Sequence, residues 1–202
     1  FPKKTREKWV EYFNSQDYDV ILTTASLSLR LAMIAPRLKA ATIGWQHNCY
    51  DGYLHVKPVV FWQQENLLQQ YLPNLDRYIV LSDYDKRDYM EKLGIDCEVK
   101  INPRSFVSEK KCDVKSKRFL MATRFVYAKG LDLMMESFEE FCKEDSEWEL
   151  DIIGDGDLFD QIRADAKKRH LEKRVHFVGY TNDPEKYYLN SSVFLLPSRW
   201  EG

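Results

Sequence analysis

Short apolar runs alternate along the chain with longer stretches in which apolar residues recur every three or four positions. In the first half, the short runs predict strands at Asp19 to Thr24, Ala41 to Trp45, Arg77 to Ser82 and Glu98 to Ile101. The stretches between them predict helices over residues 5–14, 27–35, 58–71 and 83–93, the last with Ser82 as its N-cap and Gly94 at its end. This alternation indicates βαβ units with a mostly parallel sheet.

The second half repeats the alternation. Strands are predicted over residues 118–122, 149–153, 175–178 and 193–196, and a short helix from Pro184. Two further helices carry apolar stripes, which consist of Leu131, Met134, Met135, Phe138, Phe141 and Cys142 in one and Leu158, Ile162 and Ala166 in the other. We interpret the first stripe as core packed on a sheet, not as a cofactor groove.

A polar and basic segment separates the two halves between Asn102 and Lys117, and Pro103 within it cannot continue a central strand. We therefore predict an α/β protein with one domain over residues 1–107, a linker over 108–117 and a second domain over 118–202.

Composition excludes several classes of protein. The chain has 202 residues with 30 Lys and Arg against 32 Asp and Glu, and its net charge of -2 offers no long-range attraction for a nucleic acid. No apolar run approaches the ~20 residues of a membrane span, and no secretory leader is visible, so a cytoplasmic protein is expected. The four cysteines form no C-x-x-C pair and the histidines lack H-x3-H spacing, so no disulfide framework and no metal site are expected.

Polar residues cluster after the strand at 118–122. Arg124 follows the strand directly, and a helix is predicted to begin after Lys129 and Gly130. Open α/β sheets bind ligands beyond the carboxyl ends of their strands, and helix N-termini favour anions. Two cations at this position suit a diphosphate, although Arg124 and Lys129 could equally be solvated surface charges.

Glycines follow the next two predicted strands, as Gly154 and Gly156 and then as Gly179 before Tyr180. The first pair does not complete the G-x-G-x-x-G fingerprint of dinucleotide-binding proteins, because position 159 is Phe. A tight turn is thus the simpler interpretation of Gly154 and Gly156, and an NAD-dependent oxidoreductase is disfavoured. Polar or glycine residues after four successive strands, the last at Leu196 to Gly202, predict one continuous crevice.

The ordered motifs of residues 119–202 resemble those of group 1 glycosyltransferases, also called glycosyltransferase family 4. They are R-x4-K-G from Arg124, I-x-G-x-G from Ile152, V-x-F-x-G from Val175 and L-P-S-x-x-E-G from Leu196. The resemblance implies a retaining enzyme of the GT-B fold with two Rossmann-like βαβ domains. Both domains are expected to be incomplete, since the family's glycine-rich loop would precede Phe1 and its second motif carboxylate would follow Gly202. Thr123 stands where the family often has glycine, and Asp157 where it often has proline.

The resemblance also implies residue roles. Arg124 and Lys129 would hold the pyrophosphate of a sugar donor without a divalent metal, Gly154 and Gly156 would allow the donor to approach the backbone, and Gly179 with Tyr180 would frame the nucleobase. Glu201 matches the first carboxylate of the E-x7-E motif and would contact the donor sugar.

His47 lies just past the predicted strand at Ala41 to Trp45, where related enzymes carry a histidine that faces the donor. Without the resemblance, a lone histidine would more simply be a surface or core residue. With it, His47 and Glu201 are the candidate catalytic residues, and neither a cofactor nor a metal is expected beside the donor.

The implied reaction moves a sugar from a nucleoside-diphosphate sugar, with UDP favoured over GDP, to a saccharide or lipid-linked saccharide in polysaccharide or cell-envelope synthesis. The chain alone is expected to be inactive. A two-lobed ligand-binding module without chemistry is the alternative from another class. The basic residues of the first helix either touch the inner face of an anionic membrane or, as we favour, form a solvated face. The sequence does not indicate an oligomeric state.

Overall fold

The computed structural model describes residues 1–56, 61, 63–104 and 107–201. It divides into two compact units: a first unit of residues 1–104 together with Glu201, and a second unit that continues to Trp200. The segment predicted as a linker packs with the second unit. There the Asp113 N–H donates to the Leu189 carbonyl at 2.8 Å, and Ser108 Oγ donates to the Glu185 carboxylate at 2.7 Å.

The first unit contains a four-stranded parallel sheet. Its strands are β1 (Val20–Thr24), β2 (Ala41–Trp45), β3 (Arg77–Val80) and β4 (Glu98–Val99), and they lie side by side in the order β1-β2-β3-β4. The register aligns Leu22 with Ile43 and Ile43 with Arg77. All four strands occur where the apolar runs predict them. Because the strands are parallel, their carboxyl ends lie at one edge of the sheet.

The α-helices described in this unit are α1 (Lys3–Ser15), α2 (Leu27–Ala32), α3 (Tyr50–Leu54), α4 (Glu65–Tyr71) and α5 (Asp83–Leu93). The predicted cap of α5 is confirmed, because Ser82 Oγ accepts the Asp85 N–H at 3.1 Å and the helix ends at Gly94. The apolar faces of the helices pack with the sheet in a core that includes Leu54, Val80 and Tyr89.

The predicted helix over residues 58–71 is wrong at its start. Residues 57–60 and 62 lie outside the described residues, and α4 begins only at Glu65. Gln63 has a φ of 54°, in the left-handed region that a helix cannot use, and its N–H donates to the Leu54 carbonyl at 3.1 Å. The short helix α3 is not predicted at all. Its cap is the Cys49 thiol, which accepts the Gly52 N–H at 3.3 Å.

The second unit contains a second four-stranded parallel sheet. Its strands are β5 (Arg118–Ala122), β6 (Glu149–Ile153), β7 (Val175–Gly179) and β8 (Val193–Phe194), with helices α6 (Leu131–Glu144), α7 (Phe159–Lys168) and α8 (Glu185–Leu189) between them. The spatial order is β7-β6-β5-β8. The chain thus moves outward from β5 to β7 and then returns to the other side of β5. The predicted α/β class with two Rossmann-like units is confirmed.

The apolar stripe of α6 forms the centre of the second core, as predicted. Leu131, Met134, Met135 and Phe138 are buried, and they pack with Leu150 and Ile152 of β6 and with Ile162 of α7. Each such side chain contributes ~1.5–3 kcal/mol when it leaves water. This packing fixes α6, and with it the loop that joins β5 to α6.

Candidate functional site

The strand order of the second unit marks the place where a ligand is expected. β5 is paired on one side with β6 and on the other with β8, and the direction of the chain reverses between them. In open α/β sheets, ligands bind at such a reversal, beyond the carboxyl ends of the strands. Two segments meet there: residues 123–130, here called the β5–α6 loop, and residues 195–200, here called the β8 segment.

The β5–α6 loop is anchored by one buried side chain. Phe125 is fully buried, and its ring packs on Phe159 with a centroid separation of 5.0 Å. Its N–H donates to the Asp155 carbonyl at 2.8 Å, and its own carbonyl accepts the Leu158 N–H at 3.0 Å. The loop is therefore fastened to the β6–α7 connection directly beside Arg124, whose side chain is exposed.

Lys129 closes a short 3-10 turn, Tyr127–Lys129, that leads into α6. Its N–H donates to the Val126 carbonyl at 3.0 Å. The next residue, Gly130, has a φ of 66°, and a Cβ at this position would collide with the Pro197 carbonyl oxygen. Only glycine fits this close approach. Arg124 and Lys129 lie near the two ends of the β5–α6 loop. The loop leads into the N-terminus of the 14-residue helix α6, where the helix dipole favours an anion.

Arg199 of the β8 segment joins the β5–α6 loop to α6. Its Nη1 donates to the Tyr127 carbonyl at 2.9 Å and to Asp132 Oδ1 at 2.8 Å, while Nη2 donates to Asp132 Oδ2 at 2.7 Å. The guanidinium also lies 4.0 Å from the centroid of the Tyr127 ring. These hydrogen bonds are the main reason that the pKa of Asp132 lies below its usual value.

The glycines after β6 are explained by packing within the protein. A Cβ on Gly154, whose φ is 124°, would collide with the Thr123 carbonyl, and a Cβ on Gly156 would lie 2.8 Å from the Phe125 carbonyl oxygen. The Gly154 N–H donates to the Gly179 carbonyl at 2.8 Å. The ends of β5, β6 and β7 thus lie close together at one edge of the sheet. This packing supports the tight-turn interpretation of Gly154 and Gly156. Tyr180 follows Gly179 and is 78% exposed at the same edge.

His47 lies at the carboxyl edge of the sheet in the first unit, two residues beyond β2. Its ring is exposed and stacks on Trp45 with centroids 5.1 Å apart. The intervening Gln46 is buried, where its N–H donates to the Ile79 carbonyl at 2.8 Å and its Nε2 donates to Tyr89 Oη at 3.3 Å. Gln46 therefore fixes the backbone from which His47 projects.

Glu201 also belongs to the first unit, where its backbone carbonyl accepts the Cys49 N–H at 2.9 Å. The predicted site residues thus fall into two groups. Arg124, Lys129, Gly154, Gly156, Gly179 and Tyr180 gather at one edge of the second sheet, and His47 and Glu201 lie in the first unit.

Among the residues that the structure describes, no group of three or more His, Cys, Asp or Glu side chains is placed to hold a metal ion. None of the helices in this part of the chain is long and apolar enough to cross a membrane.

Sequence reasoning missed the contact between Arg199 and Asp132. The two residues are 67 positions apart, and only the return of the chain to β8 brings them together. The available signal was an arginine shortly after the last strand, at a variable position of the L-P-S-x-x-E-G motif.

Comparison with known proteins identifies related sequences. Residues 105–202 match the family described as glycosyl transferases group 1. An uncharacterized glycosyltransferase of Haemophilus influenzae is 29% identical over 91% of this chain. The poly(ribitol-phosphate) alpha-N-acetylglucosaminyltransferase of Staphylococcus aureus is 26% identical over 70% of it. The chain spans 51% and 29% of the lengths of these two relatives.

A solved structure shares the fold. A mutant of S. aureus TarM, in complex with fondaparinux, alpha-GlcNAc-glycerol and UDP, superimposes with a TM-score of 0.78 at 19% identity, over 95% of this chain and 40% of that protein. The prediction of Rossmann-like units of the GT-B type is thereby confirmed. Residues 105–202 thus match the sequence family of the group 1 glycosyl transferases, and the ordered motifs and the shared fold agree with that match.

Proposed function

We propose that this chain forms part of a retaining glycosyltransferase that moves a sugar from a nucleoside-diphosphate sugar, with a UDP-sugar favoured, to a saccharide or lipid-linked saccharide acceptor. The observation that carries the proposal is the β5–α6 loop. It presents Arg124 and Lys129 at the strand reversal, beside the N-terminus of α6. Two cations and a helix dipole on one short loop suit a diphosphate group.

Glycosyl transfer breaks the bond between the anomeric carbon and the diphosphate, so negative charge grows on the leaving group. Fixed cations aimed at that charge lower the barrier, because they need no reorganisation when the bond breaks. In this proposal Arg124 and Lys129 stabilise the leaving diphosphate through charge-assisted hydrogen bonds. Independence of a divalent metal is part of the proposal.

Glu201 and His47 are proposed to act on the sugar of the donor. Glu201 would accept hydrogen bonds from donor hydroxyls, and the His47 imidazole would hydrogen-bond the donor. The stacking of His47 on Trp45 and the buried hydrogen bonds of Gln46 support this role, because they hold the imidazole in one orientation. We name no group that deprotonates the acceptor.

The comparisons support the choice of donor and acceptor class. The S. aureus TarM structure contains UDP together with saccharide ligands, and the S. aureus relative is named for transfer to poly(ribitol-phosphate). The first supports a UDP-sugar as the donor, and the second supports a cell-envelope or polysaccharide acceptor. A cytoplasmic location, including a place at the inner face of the membrane, stays a prediction.

Calorimetric titration of the chain with UDP, GDP, ADP and NAD tests the proposal. We expect UDP to bind most tightly, with an affinity that a metal chelator does not change. Arg124→Ala and Lys129→Ala each remove one charge-assisted contact of about 1.5–3 kcal/mol, and each is expected to weaken UDP binding roughly tenfold to a hundredfold. Arg163→Ala, an exposed cation on α7, is the matched control and is expected to bind like the wild type.

Two outcomes would contradict the proposal. If UDP binds equally well to Arg124→Ala, Lys129→Ala and the wild type, the diphosphate does not lie on the β5–α6 loop. If NAD binds in preference to every nucleoside diphosphate, the oxidoreductase alternative replaces glycosyl transfer.

A further inference from the structure

The β8 segment contacts the backbone of the β5–α6 loop at three positions. The Arg199 N–H donates to the Ala128 carbonyl at 2.7 Å, and the Arg199 side chain donates to the Tyr127 carbonyl at 2.9 Å. The Pro197 carbonyl lies against Gly130 so closely that no Cβ fits between them. Lys129 therefore lies between two residues, Ala128 and Gly130, whose backbone the β8 segment contacts.

The Arg199 guanidinium is already committed to the protein. Both of its Nη atoms donate to Asp132 in a bidentate pair, one of them also donates to Tyr127, and its face lies over the Tyr127 ring. The Arg199 side chain is 17% exposed, whereas that of Asp132 is 53% exposed. A planar guanidinium that donates to three acceptor atoms at once fixes their relative positions, which the ammonium group of a lysine cannot do.

We infer that Arg199 is a positioning residue: it clamps the β5–α6 loop to the start of α6 and thereby holds Lys129 where the donor diphosphate binds. This role rests on the proposed function, and it differs from a direct contact with the phosphates. Asp132 is its partner in the clamp. A displacement of the binding cation by about 1 Å is enough to weaken a charged contact severely.

The sign of the Asp132→Asn effect separates positioning from direct binding. If Arg199 itself bound the diphosphate, release from Asp132 and loss of a nearby negative charge would strengthen binding. If Arg199 acts by holding the loop, Asp132→Asn loosens the clamp and weakens binding. We expect a weakening of several-fold for Asp132→Asn and of about tenfold or more for Arg199→Ala.

The experiment measures two quantities on the same variants. Titration with UDP gives the affinity, and hydrogen exchange gives the protection of the Lys129 and Gly130 amides, which donate to Val126 and Tyr127. We expect Arg199→Ala to exchange these amides faster and to bind UDP more weakly. Arg199→Lys keeps the charge but loses the bidentate fork, so its affinity is expected to lie between those of Arg199→Ala and the wild type.

Arg169→Ala is the matched control. Arg169 forms ion pairs with Asp165 and Glu139 between α7 and α6, so its loss also breaks a double ion pair of the second unit. We expect this variant to lose stability while its UDP affinity and the exchange of its β5–α6 loop stay unchanged. If Arg199→Ala does not fold, as judged by circular dichroism, Arg199→Lys and Asp132→Asn carry the test.

The possible results distinguish the inference about Arg199 from the proposed function. Wild-type affinity and wild-type exchange in Arg199→Ala or Asp132→Asn overturn the inference, while weaker binding by Lys129→Ala in the same series preserves the proposed function. Tighter binding by Asp132→Asn also overturns it, in favour of a direct phosphate contact. A wild-type chain that binds no nucleoside diphosphate overturns the proposed function and the inference together.

Discussion

Single polar side chains connect neighbouring strands at several points, and Asp76 is an example. Its Oδ2 accepts both the Thr42 N–H at 2.7 Å and Thr42 Oγ1 at 2.8 Å, and its own N–H donates to Thr42 Oγ1 at 3.2 Å. The first of these bonds is the largest cause of the lowered pKa of the Asp76 carboxyl. The hydrogen bonds favour the ionised form and so tie the start of β3 to β2.

This lowered pKa predicts a pH dependence of stability. A carboxyl whose pKa is lower in the folded than in the unfolded state stabilises the fold above the unfolded value of ~3.9, and this contribution disappears as the pH falls through the folded value. Solvent screening at this exposed group limits it to about 0.5–1 kcal/mol. We expect Asp76→Asn to lower the free energy of unfolding at pH 7 and to have a smaller effect at pH 3, as measured by urea denaturation.

Glu91→Gln, an exposed carboxylate on α5, serves as the control and is expected to change the free energy of unfolding little at either pH. An equal loss of stability in Asp76→Asn at pH 7 and pH 3 would contradict the assignment.

At the scale of elements, one buried carboxylate joins two helix N-termini. Asp85 Oδ2 accepts Ser82 Oγ at 2.6 Å within the cap of α5, and Asp85 Oδ1 accepts the Tyr50 N–H at 2.9 Å at the start of α3. The bond from Tyr50 satisfies one of the N–H groups that a helix leaves open at its N-terminus, and the bond from Ser82 orients the hydroxyl that caps α5. The short α3, which follows closely on His47 in the chain, is thereby held against the longer α5.

Removal of these caps is expected to destabilise the first unit to different extents. Ser82→Ala should cost about 1 kcal/mol, the usual value of an N-cap. Asp85→Ala should cost about 2–3 kcal/mol, because it leaves the buried Tyr50 N–H without its acceptor. Lys86→Ala is the control on the same helix, since its exposed ion pair with Asp96 contributes little. Denaturation midpoints measure all three, and equal losses in all three would contradict the role of the caps.

The sequence predicts those elements whose local and tertiary preferences agree. Strands β2, β5 and β6 lie at their predicted residues, and the stripe of α6 is buried as expected. The predicted helix over 58–71 is wrong at its start because Gln63 adopts a left-handed conformation and its N–H donates to the Leu54 carbonyl, a tertiary effect that periodicity does not encode. In the candidate site, the motif places Arg124 and Lys129 after β5. The Arg199–Asp132 clamp depends on strand order, which the sequence does not display.

At the scale of the whole molecule, the chain builds two separate cores. One surrounds the sheet β1-β2-β3-β4 and the other the sheet β7-β6-β5-β8, and the two clusters of buried residues share no member among the residues described. Each core holds the strand ends of its own unit in place. The cations of the β5–α6 loop therefore depend on the second core, and His47 depends on the first.

A cavity in one core is expected to destabilise one unit selectively. Met135 is fully buried on α6, and Met135→Ala should lower the stability of the second unit by about 2–5 kcal/mol. Amides of β5 and β6 should then exchange faster, while those of β1 and β2 keep their protection. Leu133→Ala is the control, because Leu133 lies on the same helix but is exposed. Faster exchange throughout both sheets would show instead that the chain unfolds as one cooperative unit.

The strand order β7-β6-β5-β8 also has a consequence for synthesis on the ribosome. β5, β6 and β7 leave the ribosome in sequence and can pair as soon as they emerge, whereas Arg199 emerges 67 residues after the Asp132 that it must meet. Closing so long a loop is entropically costly and is slow compared with local folding. A nascent chain that has reached α8 would thus carry three paired strands but a β5–α6 loop that nothing yet clamps, so the clamp is one of the last features of this unit to form.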